Sequence, residues 1–443
     1  MSATKALPSY QKYISDFDSF VKNDKKSSWF KDLRQEGLNY FREFKFPIDT
    51  RANEEWKHTN VNNIARTVFE YQPDTEIDSI STSKLKTISP WNETWIQLIF
   101  INGIFSNKLS SNLKEIQDIH LNSLSELASE ENKFLKDHIG KYASLTDNGF
   151  TAINTAFMND GAVVEIPDNV SINIPIHLIF ISTHQSSSSV SYPRTLISVG
   201  ENSEITVIES YVGLSDQPYF TNAVSEIVAN ENSKIEHYRY LSENSSAFHI
   251  GTTRVSLEQN STFNSTSLSK GARLARNDLG ICLAKPGSSC TIKGLYISTD
   301  TQHIDNHIDI DHASQNSSST QYFKGILDGK SRAVFSGRVL VRKDAQKTYA
   351  RQGDKNLLLS EGARINTKPS LEIYADDVEC YHGATAGTLA SEALFYMQSR
   401  GIDEDTARRL LITAFADEIL DTVIPLHLKN HTRNLFLNTI NIT

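Results

Sequence analysis

A turn-like motif returns at a nearly constant interval through the middle of this 443-residue chain. Its marker serines are Ser203, Ser233, Ser261, Ser288 and Ser319, which are separated by 30, 28, 27 and 31 residues. A marker that repeats at such a period is typical of a solenoid, in which each repeat stacks on its neighbours. The interval therefore predicts a β-helix, with an evenly spaced β-sandwich as the competing interpretation.

The segments between the markers have the composition of β-strands. Residues 95–387 consist of short runs rich in Val, Ile, Thr and Ser, interrupted by Asn, Gly and Ser, and helical spacing is rare in this range. Such runs indicate strands joined by polar turns. We therefore predict a mostly β fold with its solenoid core over residues 95–387, between helical regions at 1–94 and 388–443.

The two helical regions contain recognisable helix signals. Near the N-terminus, the aromatic spacing around Phe30 and Phe41 predicts an amphipathic helix that ends before Pro47. Near the C-terminus, a helix ends at Gly401 and Asp403 caps a second one, which should end by Pro425. The apolar stripe predicted for that second helix is Ala407, Leu410, Leu411, Ala414, Phe415 and Ile419. Such a stripe packs on its own domain or binds a partner, and the sequence leaves both open.

Charge and hydropathy exclude several functions. The net charge of −9, without a basic cluster, argues against a nucleic-acid surface. No stretch reaches the roughly 18 apolar residues of a membrane span, so no membrane role is expected. Residues 1–10 show no secretory signal, and we expect a cytoplasmic protein. Three cysteines are too few for a disulfide framework. A Cys282–Cys290 bridge is conceivable, but two buried thiols are the favoured interpretation.

A cysteine and a histidine two residues apart form the strongest chemical signal. On a strand, Cys380 and His382 would share one face, with Asp376, Asp377 and Glu379 around them. A thiolate beside an imidazole suits iron or zinc. Structural zinc sites take four ligands, so two residues form only half of a site. The spacing therefore predicts a metal half-site that a partner surface completes.

Two other patterns invite a functional interpretation. Residues 325–331 resemble a phosphate loop, but only three residues separate the glycines where four are required, so we predict no ATPase site. Along 303–312, alternation would point the isoleucines inward and a polar ladder of His303, Asp305, His307, Asp309 and Asp311 outward. That ladder could bind a metal, but a solvated face with cross-strand hydrogen bonds is favoured.

Several segments together resemble one family of proteins. They are residues 331–337, 352, 356–360, 369–373, 376–385, 394–396 and 399–402, with weaker matches at 55–57, 154–161 and 273–278. In these segments the chain is similar to the SufB/SufD family of the SUF iron–sulfur cluster assembly machinery. The low cysteine count and the motif Cys-x-His-Gly-Ala-Thr at 380–385 favour the SufD type.

This resemblance implies a fold, partners and site residues. It implies a right-handed parallel β-helix, and a complex with a SufB-like subunit and two SufC-like ABC ATPases. His382, with Cys380 beside it, would lie at the subunit interface. The isolated chain would bind no cofactor tightly, and iron or an iron–sulfur cluster would be held transiently in the complex. The ATPase would contact the C-terminal helices, with the candidate residues Phe395, Tyr396, Arg400, Leu411 and Phe415.

The resulting prediction is a scaffold subunit that is not itself an enzyme. It would support iron acquisition and cluster assembly where it meets the SufB-like subunit. Two alternatives remain, a polysaccharide-active β-helix enzyme and a purely structural adaptor. The sequence also leaves open whether the isolated chain forms a homodimer.

Overall fold

The computed structural model describes residues 8–22, 24–50, 53–71, 80–113, 118–183, 188–214, 217–437 and 439. Over these residues the chain forms a parallel β-solenoid of about eight turns, with helices at both ends. The predicted fold class is confirmed. The prediction that residues 1–10 contain no secretory signal concerns a segment of which residues 1–7 lie outside the described residues.

The strands follow one another with little interruption after the first third of the chain. In chain order they are β1 Glu70–Tyr71, β2 Ile96–Ile101, β3 Ile104–Phe105, β4 His120–Ser123, β5 Ala162–Ile166, β6 Ile176–Ser182, β7 Ser189–Ser191, β8 Arg194–Val199, β9 Glu204–Gly213, β10 Tyr219–Ala229, β11 Lys234–Glu243, β12 Phe248–Leu257, β13 Thr262–Gly271, β14 Leu274–Leu283, β15 Ser289–Ser298, β16 His303–His312, β17 Ser318–Leu327, β18 Arg332–Val341, β19 Thr348–Leu358, β20 Arg364–Ile373 and β21 Val378–Gly387.

Helices precede, interrupt and follow these strands. They are α1 Pro8–Lys22, α2 Ser28–Phe44, α3 Asn62–Arg66, α4 Thr82–Ile88, α5 Leu124–Leu127, α6 Lys133–His138, α7 Gly149–Phe157, α8 Ser391–Ser399, α9 Glu404–Leu420 and α10 Leu426–Leu437, with a short 3₁₀ helix at Glu54–Trp56. Among the described residues, no helix is long and apolar enough to cross a membrane.

Two long sheets form the walls of the solenoid. Sheet A has the order β20-β18-β16-β14-β12-β10-β8-β5-β4, with β1 and β7 beside this path, and sheet B has the order β21-β19-β17-β15-β13-β11-β9-β6-β2-β3. From β8 onward, consecutive strands alternate between the sheets, so each of these coils contributes one strand to each wall. Because side chains alternate along a strand, one face of every strand lines the interior.

Equivalent positions of successive coils stack inside the solenoid. One such column contains Ile205, Ile235, Phe263 and Cys290, which are paired across β9, β11, β13 and β15 and are all buried. These columns merge into one apolar core that runs through the coils. Stacking of identical positions explains why the sequence pattern repeats along with the structure.

The turns between the sheets carry an asparagine ladder. Asn202, Asn232 and Asn260 each donate a side-chain hydrogen bond of 3.1 Å to the asparagine of the preceding coil. All three have a positive φ, a conformation that asparagine tolerates better than most residues do. Local side-chain chemistry therefore supports the sharp turn in each of these three coils.

The predicted marker serines occupy these same turns, with one correction. The hydroxyls of Ser233, Ser261 and Ser288 each donate to the carbonyl oxygen three residues earlier and so close the turn. The fifth equivalent is Ser317 and not Ser319, because Ser289 pairs with Ser318 in the sheet. Three consecutive serines occupy 317–319, and composition alone cannot tell which of them closes a turn.

The N-terminal helices pack against the first coils. The predicted helix near Phe30 is α2, which ends at Phe44, and its buried face packs on α7. Gly37 permits this close approach, because a Cβ there would lie 2.8 Å from the backbone nitrogen of Ala156. Further along, the Arg276 guanidinium lies 4.0 Å from the Trp56 ring centroid, which fixes the N-terminal segment on the outer face of sheet A.

The C-terminal helices fold back onto the outer face of sheet B. Asp403 caps α9 as predicted, and its carboxylate accepts from the backbone N–H of Thr406 at 2.9 Å. The predicted stripe is wrong in part, because Leu410 and Ala414 are exposed. The buried face of α9 consists of Ala407, Ile412, Ala416, Ile419 and Leu420.

The outer face of sheet B explains this error. Its residues Ile208, Leu268 and Leu295 are apolar and buried, and they share one cluster with α9 and α10. Which residues of α9 are buried depends on which side of the helix contacts sheet B. The spacing of apolar residues in the sequence could not show that side, and it included the exposed Leu410 and Ala414. The predicted end by Pro425 holds, and α10 is a helix that the sequence did not indicate.

Candidate metal and partner-binding site

The last coil of the solenoid leaves two long strand edges open. β20 and β21 are each ten residues long, and each ends its sheet without a further strand among the described residues. Most of their side chains are exposed or half-buried. A long unpaired edge offers backbone donors and acceptors to another chain, so this end of the molecule is the natural place for a partner.

Cys380 and His382 lie at this open end. β21 pairs with β19, so Cys380 lies beside Ala350 and His382 lies beside Gln352. Ala350 and Gln352 are buried and face the interior, and alternation places Cys380 and His382 on the same inner face. Cys380 is half-buried, whereas His382 is exposed. The expected geometry is present, and the role of the pair in metal binding stays a prediction.

The surroundings of the thiol are less acidic than expected. Burial raises the pKa of the Cys380 thiol, and the backbone N–H of Ala350 opposes that rise. Glu379 is one residue away and therefore points to the outer face, while Asp376 and Asp377 lie in the exposed turn before β21. The predicted ring of three acids around the pair is thus wrong at Glu379, and burial dominates the protonation of the sulfur.

No complete metal site is preformed. Within the part of the chain that the structure describes, no three His, Cys, Asp or Glu side chains are grouped closely enough to hold a metal ion. A thiol and an imidazole supply two of the ligands that iron or zinc requires. The arrangement fits a half-site that needs a second surface.

A layer of polar side chains closes the interior just behind this pair. Gln352, Asp354 and Asn356 alternate along β19 and are all buried. The Asn356 amide donates to Asp354 at 2.7 Å, and burial raises the pKa of Asp354 to about 6 although Thr367 and Asn356 oppose the rise. We did not predict this layer from the sequence. Its signal is the polar residue at every second position of a strand that faces the core.

The polar ladder of β16 is only partly solvated. Ile304, Ile308 and Ile310 line the core as predicted. His303 and Asp305 are covered by the N-terminal segment, where the Thr59 hydroxyl donates to Asp305 at 2.5 Å, and Thr59 also hydrogen-bonds His303.

The other half of the ladder confirms the favoured interpretation. Asp309 pairs with Arg338 of the neighbouring strand β18 at 2.8 Å, and Asp311 pairs at 2.6 Å with Arg342, which directly follows β18. These ion pairs link neighbouring coils through the carboxylates of Asp309 and Asp311. The correction for His303 and Asp305 arises because strand periodicity identifies a face but not the segment that covers it.

The remaining sequence signals have structural explanations. The phosphate-loop-like segment 325–331 runs from the end of β17 through a turn to the start of β18, and no helix follows it. Cys282 and Cys290 are free thiols; Cys290 is buried and Cys282 is half-buried. The possible bridge between them is absent.

The candidate partner-binding residues divide into two groups. Phe395 and Tyr396 on α8 are 72% and 60% exposed, and the Arg400 guanidinium lies 5.2 Å from the Tyr396 ring centroid. Leu411 and Phe415 on α9 are half-buried, and the Nζ atom of Lys324 lies 3.9 Å from the centroid of the Phe415 ring. Only the α8 group presents a large apolar surface, and whether either group binds a partner stays a prediction.

Comparison with known proteins gives a consistent result along the chain. The family model described as "SUF system FeS cluster assembly, SufBD core domain" matches residues 180–415, and the model "SufBD protein N-terminal region" matches residues 5–178. A SufBD family iron–sulfur cluster assembly protein of Synechocystis sp. is 35% identical over 84% of this chain and 83% of that protein.

Two further relatives extend the comparison. The chloroplastic protein ABCI7 of Arabidopsis thaliana is 31% identical over 88% of this chain and 82% of that protein. The iron–sulfur cluster assembly protein SufD of Escherichia coli (strain K12) is 27% identical over 85% of both chains. The solenoid with its open terminal coil is thus that of an iron–sulfur cluster assembly component. The chain belongs to the SufBD family.

Proposed function

We propose that this chain is the SufD-type scaffold subunit of a SUF complex, with no ATPase site of its own. It pairs with a SufB-like subunit and two SufC-like ABC ATPases, and it supports iron acquisition and de novo cluster assembly at the SufB-like interface. One observation carries the proposal: Cys380 and His382 share the inner face of the last strand, at the end where both sheets are open.

Pairing would proceed through the two edge strands. A second solenoid that adds its own strands to β20 and β21 satisfies their backbone groups and extends both sheets. Its residues then complete the half-site, and iron and sulfide are substrates of that shared site. Without the SufB-like subunit, a second copy of this chain would use the same edges, so we expect the isolated chain to form a homodimer.

The ATPases would bind the C-terminal helices. The exposed aromatic side chains of Phe395 and Tyr396 on α8 provide the contact surface, with Arg400 beside them and with Leu411 and Phe415 on α9. α9 is linked to the solenoid through Glu418, whose carboxylate pairs with Lys324 of β17 at 2.7 Å. Movement of the ATPases on α8 and α9 would reach the open coil through this ion pair.

We assign this function to the cytoplasm. The three cysteines are free thiols, as is usual in a reducing compartment, and cluster chemistry needs the thiol of Cys380 unoxidised.

A structural adaptor is the second candidate. It is favoured by the contact of Cys380 with the apolar cluster at the end of the interior and by the burial that raises the pKa of its thiol. A buried thiol can act simply as a small apolar side chain. In an adaptor, Cys380 and His382 would pack the last coil and take no part in cluster formation.

Anaerobic reconstitution with iron and sulfide separates these candidates. The chain would be coexpressed with a SufB-like and a SufC-like subunit, and cluster formation followed by absorbance. We expect Cys380→Ser and His382→Ala to leave the complex assembled but to reduce cluster formation at least tenfold, while Cys282→Ser has no effect. Intact cluster formation in both variants would refute the scaffold site and support the adaptor.

A further inference from the structure

The outer face of sheet B carries a groove that lies behind the candidate half-site. It has a volume of about 670 Å³, and its lining includes Tyr322, Arg351, Gly353, Tyr381 and Gly383. Alternation places these residues on the outer face, because Gln321, Gln352 and Asp354 between them are buried and face inward. His382 borders the groove, together with Gln352 and Asp354, whereas Cys380 does not line it, so the groove and the candidate half-site are adjacent.

The strand register gives the groove its shape. Lys293, Tyr322, Gly353 and Gly383 are paired in a row across β15, β17, β19 and β21, and this row forms the floor. The floor between Tyr322 and Gly383 spans two strand spacings, about 10 Å. Tyr322 closes the inner end, whereas the end at Gly383 opens at the rim of the solenoid.

Positive charges surround this floor. Arg351 lies on one side of it and Lys355 on the other, while Lys293 stands at the inner end. None of these three has a carboxylate within 4.0 Å in the described part of the chain, and the Lys355 Nζ atom instead lies 5.6 Å from the Tyr322 ring centroid. The nearby acid is Glu418, which accepts from the Tyr322 hydroxyl at 2.9 Å, pairs with Lys324 and interacts with Lys355 over a longer distance. In a chain of net charge −9, three converging cations that have no carboxylate in direct contact stand out.

The glycine at the open end of the floor is not required by the fold. A Cβ at Gly383 would meet no heavy atom within 4 Å, and its backbone is not in the left-handed region. A glycine inside a strand leaves room for a ligand or another backbone to approach closely. At this position the approaching group would lie between Arg351 and Lys355.

We propose that this groove, formed by Lys293, Tyr322, Arg351, Gly353, Lys355, Tyr381 and Gly383, binds a small multivalent oxyanion. Its phosphate or carboxylate groups pair with the three cations, and Arg351 offers a planar fork that fits two oxygens at once. The glycine floor lets the body of the ligand lie directly on the backbone. The proposal does not require that Cys380 and His382 bind iron, although His382 is a neighbour of the groove.

The dimensions favour a small ligand over an acidic polypeptide. A floor of about 10 Å holds three extended residues at most, since a strand advances about 3.3 Å per residue. Tyr322 blocks continuation toward the middle of the solenoid. A volume near 670 Å³ lies within the usual range of small-molecule sites, roughly 300–1,000 Å³.

Calorimetric titration of the purified full chain tests the proposal. Pyrophosphate and citrate serve as separate probes, which distinguish a phosphate ligand from a carboxylate ligand. We expect at least one of them to bind, and Arg351→Gln to weaken that binding about tenfold, since one charged hydrogen-bonding group is lost. Lys343→Gln is the matched control, because Lys343 is an exposed cation of the same end that does not line the groove.

Gly383→Val is the sharper variant. Its side chain should fill the floor and weaken binding at least tenfold, while the thermal midpoint stays unchanged because the position is open. Gly387→Val is its control, because Gly387 is equally open and lies on the same outer face of β21 but outside the groove.

Four results would overturn the proposal. They are no binding of either anion at millimolar concentration, binding that survives both Arg351→Gln and Gly383→Val, equal losses in the control variants, and binding of an acidic hexapeptide in place of both small anions.

Discussion

At the N-terminal end of the solenoid, the sheets finish in two short antiparallel strands, whereas at the C-terminal end they finish in two ten-residue parallel strands. β3 has two residues and β4 has four, and α5 and α6 pack over this end. Short and covered edges prevent unwanted strand pairing. The chain thus protects one end of its sheets and leaves the other available, and the candidate half-site lies at the available end.

Two buried aspartates, one at each end of the solenoid, also differ in how completely they are hydrogen-bonded. Asp160, at the protected end, accepts hydrogen bonds from the backbone N–H groups of Phe105, Ser125 and Gly161 and from the Ser123 hydroxyl. Asp354, at the open end, has one carboxylate oxygen without a hydrogen-bond partner in the described structure. Burial raises the pKa of both carboxyls, and at Asp160 four hydrogen bonds oppose that rise. A partly filled network leaves more of the cost of burial uncompensated than a filled one.

The largest effect is expected at Asp160. Asp160→Asn replaces one acceptor oxygen by a donor, which leaves buried N–H groups unpaired, so we expect a loss of about 4 kcal/mol in the free energy of unfolding. Urea unfolding of the variant measures it, with exposed Asp376→Asn as the control. A loss below about 1 kcal/mol would show that the two ends do not differ in this way.

The opposite sign is expected at Asp354. A carboxyl whose pKa rises from 3.8 to about 6 on folding destabilises the fold as pH rises through this range, by about 3 kcal/mol at pH 7. Asp354→Asn should therefore stabilise the chain at pH 7 by up to that amount, and the gain should vanish near pH 4. Equal effects at both pH values would contradict the assigned cause.

Buried histidines allow a comparison of acid sensitivity at the two ends. Burial lowers the pKa of His177 in β6 to about 3 and that of His312 in β16 to about 4. Their unfolded forms take up protons below about pH 6.5, so stability is fully present above that pH and falls as the pH decreases toward the folded values. Between pH 6.5 and 5, each should account for a loss of about 2 kcal/mol.

Variants of these histidines provide the measurement. His177→Gln and His312→Gln should each reduce the acid-induced loss of unfolding free energy by about 2 kcal/mol relative to the unsubstituted chain, whatever their effect at neutral pH. An unchanged acid-induced loss of unfolding free energy in His312→Gln would contradict the prediction. It would mean that burial does not lower the pKa of His312.

The smallest effect concerns the turns. Lys347 occupies the turn position of the ladder asparagines near the open end, with φ of 59°. A lysine is strained in this region, so Lys347→Asn should stabilise the fold by about 1 kcal/mol. The reverse change in the middle of the solenoid, Asn232→Lys, should destabilise the fold by a similar amount in urea unfolding. Two neutral changes would mean that the ladder imposes no conformational preference.

Much of the fold could be predicted because strands carry a simple periodicity. The turn markers showed that the strands stack as coils, and the spacing of Cys380 and His382 correctly placed both on one face. The sequence could not show which segments cover a face. The sequence predicts that His303 and Asp305 are solvated, but in the structure the segment that contains Thr59 covers them. The position of α9 depends on apolar residues of sheet B that are distant in the sequence.

The candidate site was only partly predictable for a related reason. Alternation indicated Cys380 and His382, but the polar layer of Gln352, Asp354 and Asn356 interrupts a core that composition suggests is apolar. The groove was also missed, because its residues belong to four strands separated by about thirty residues each. Only the register brings Lys293 and Gly383 into one row.

The asparagine ladder has a consequence for how the length of the molecule can change. Removing residues 233–260 would delete one complete unit of β11 and β12 and join Asn232 directly to Ser261, which offers the same kind of turn as Ser233. The rod would shorten by one strand spacing, about 4.8 Å, with its wall contacts renewed. α9 and α10, however, span several coils from outside and would no longer fit. Insertions and deletions are therefore limited by this outer brace rather than by the stack itself.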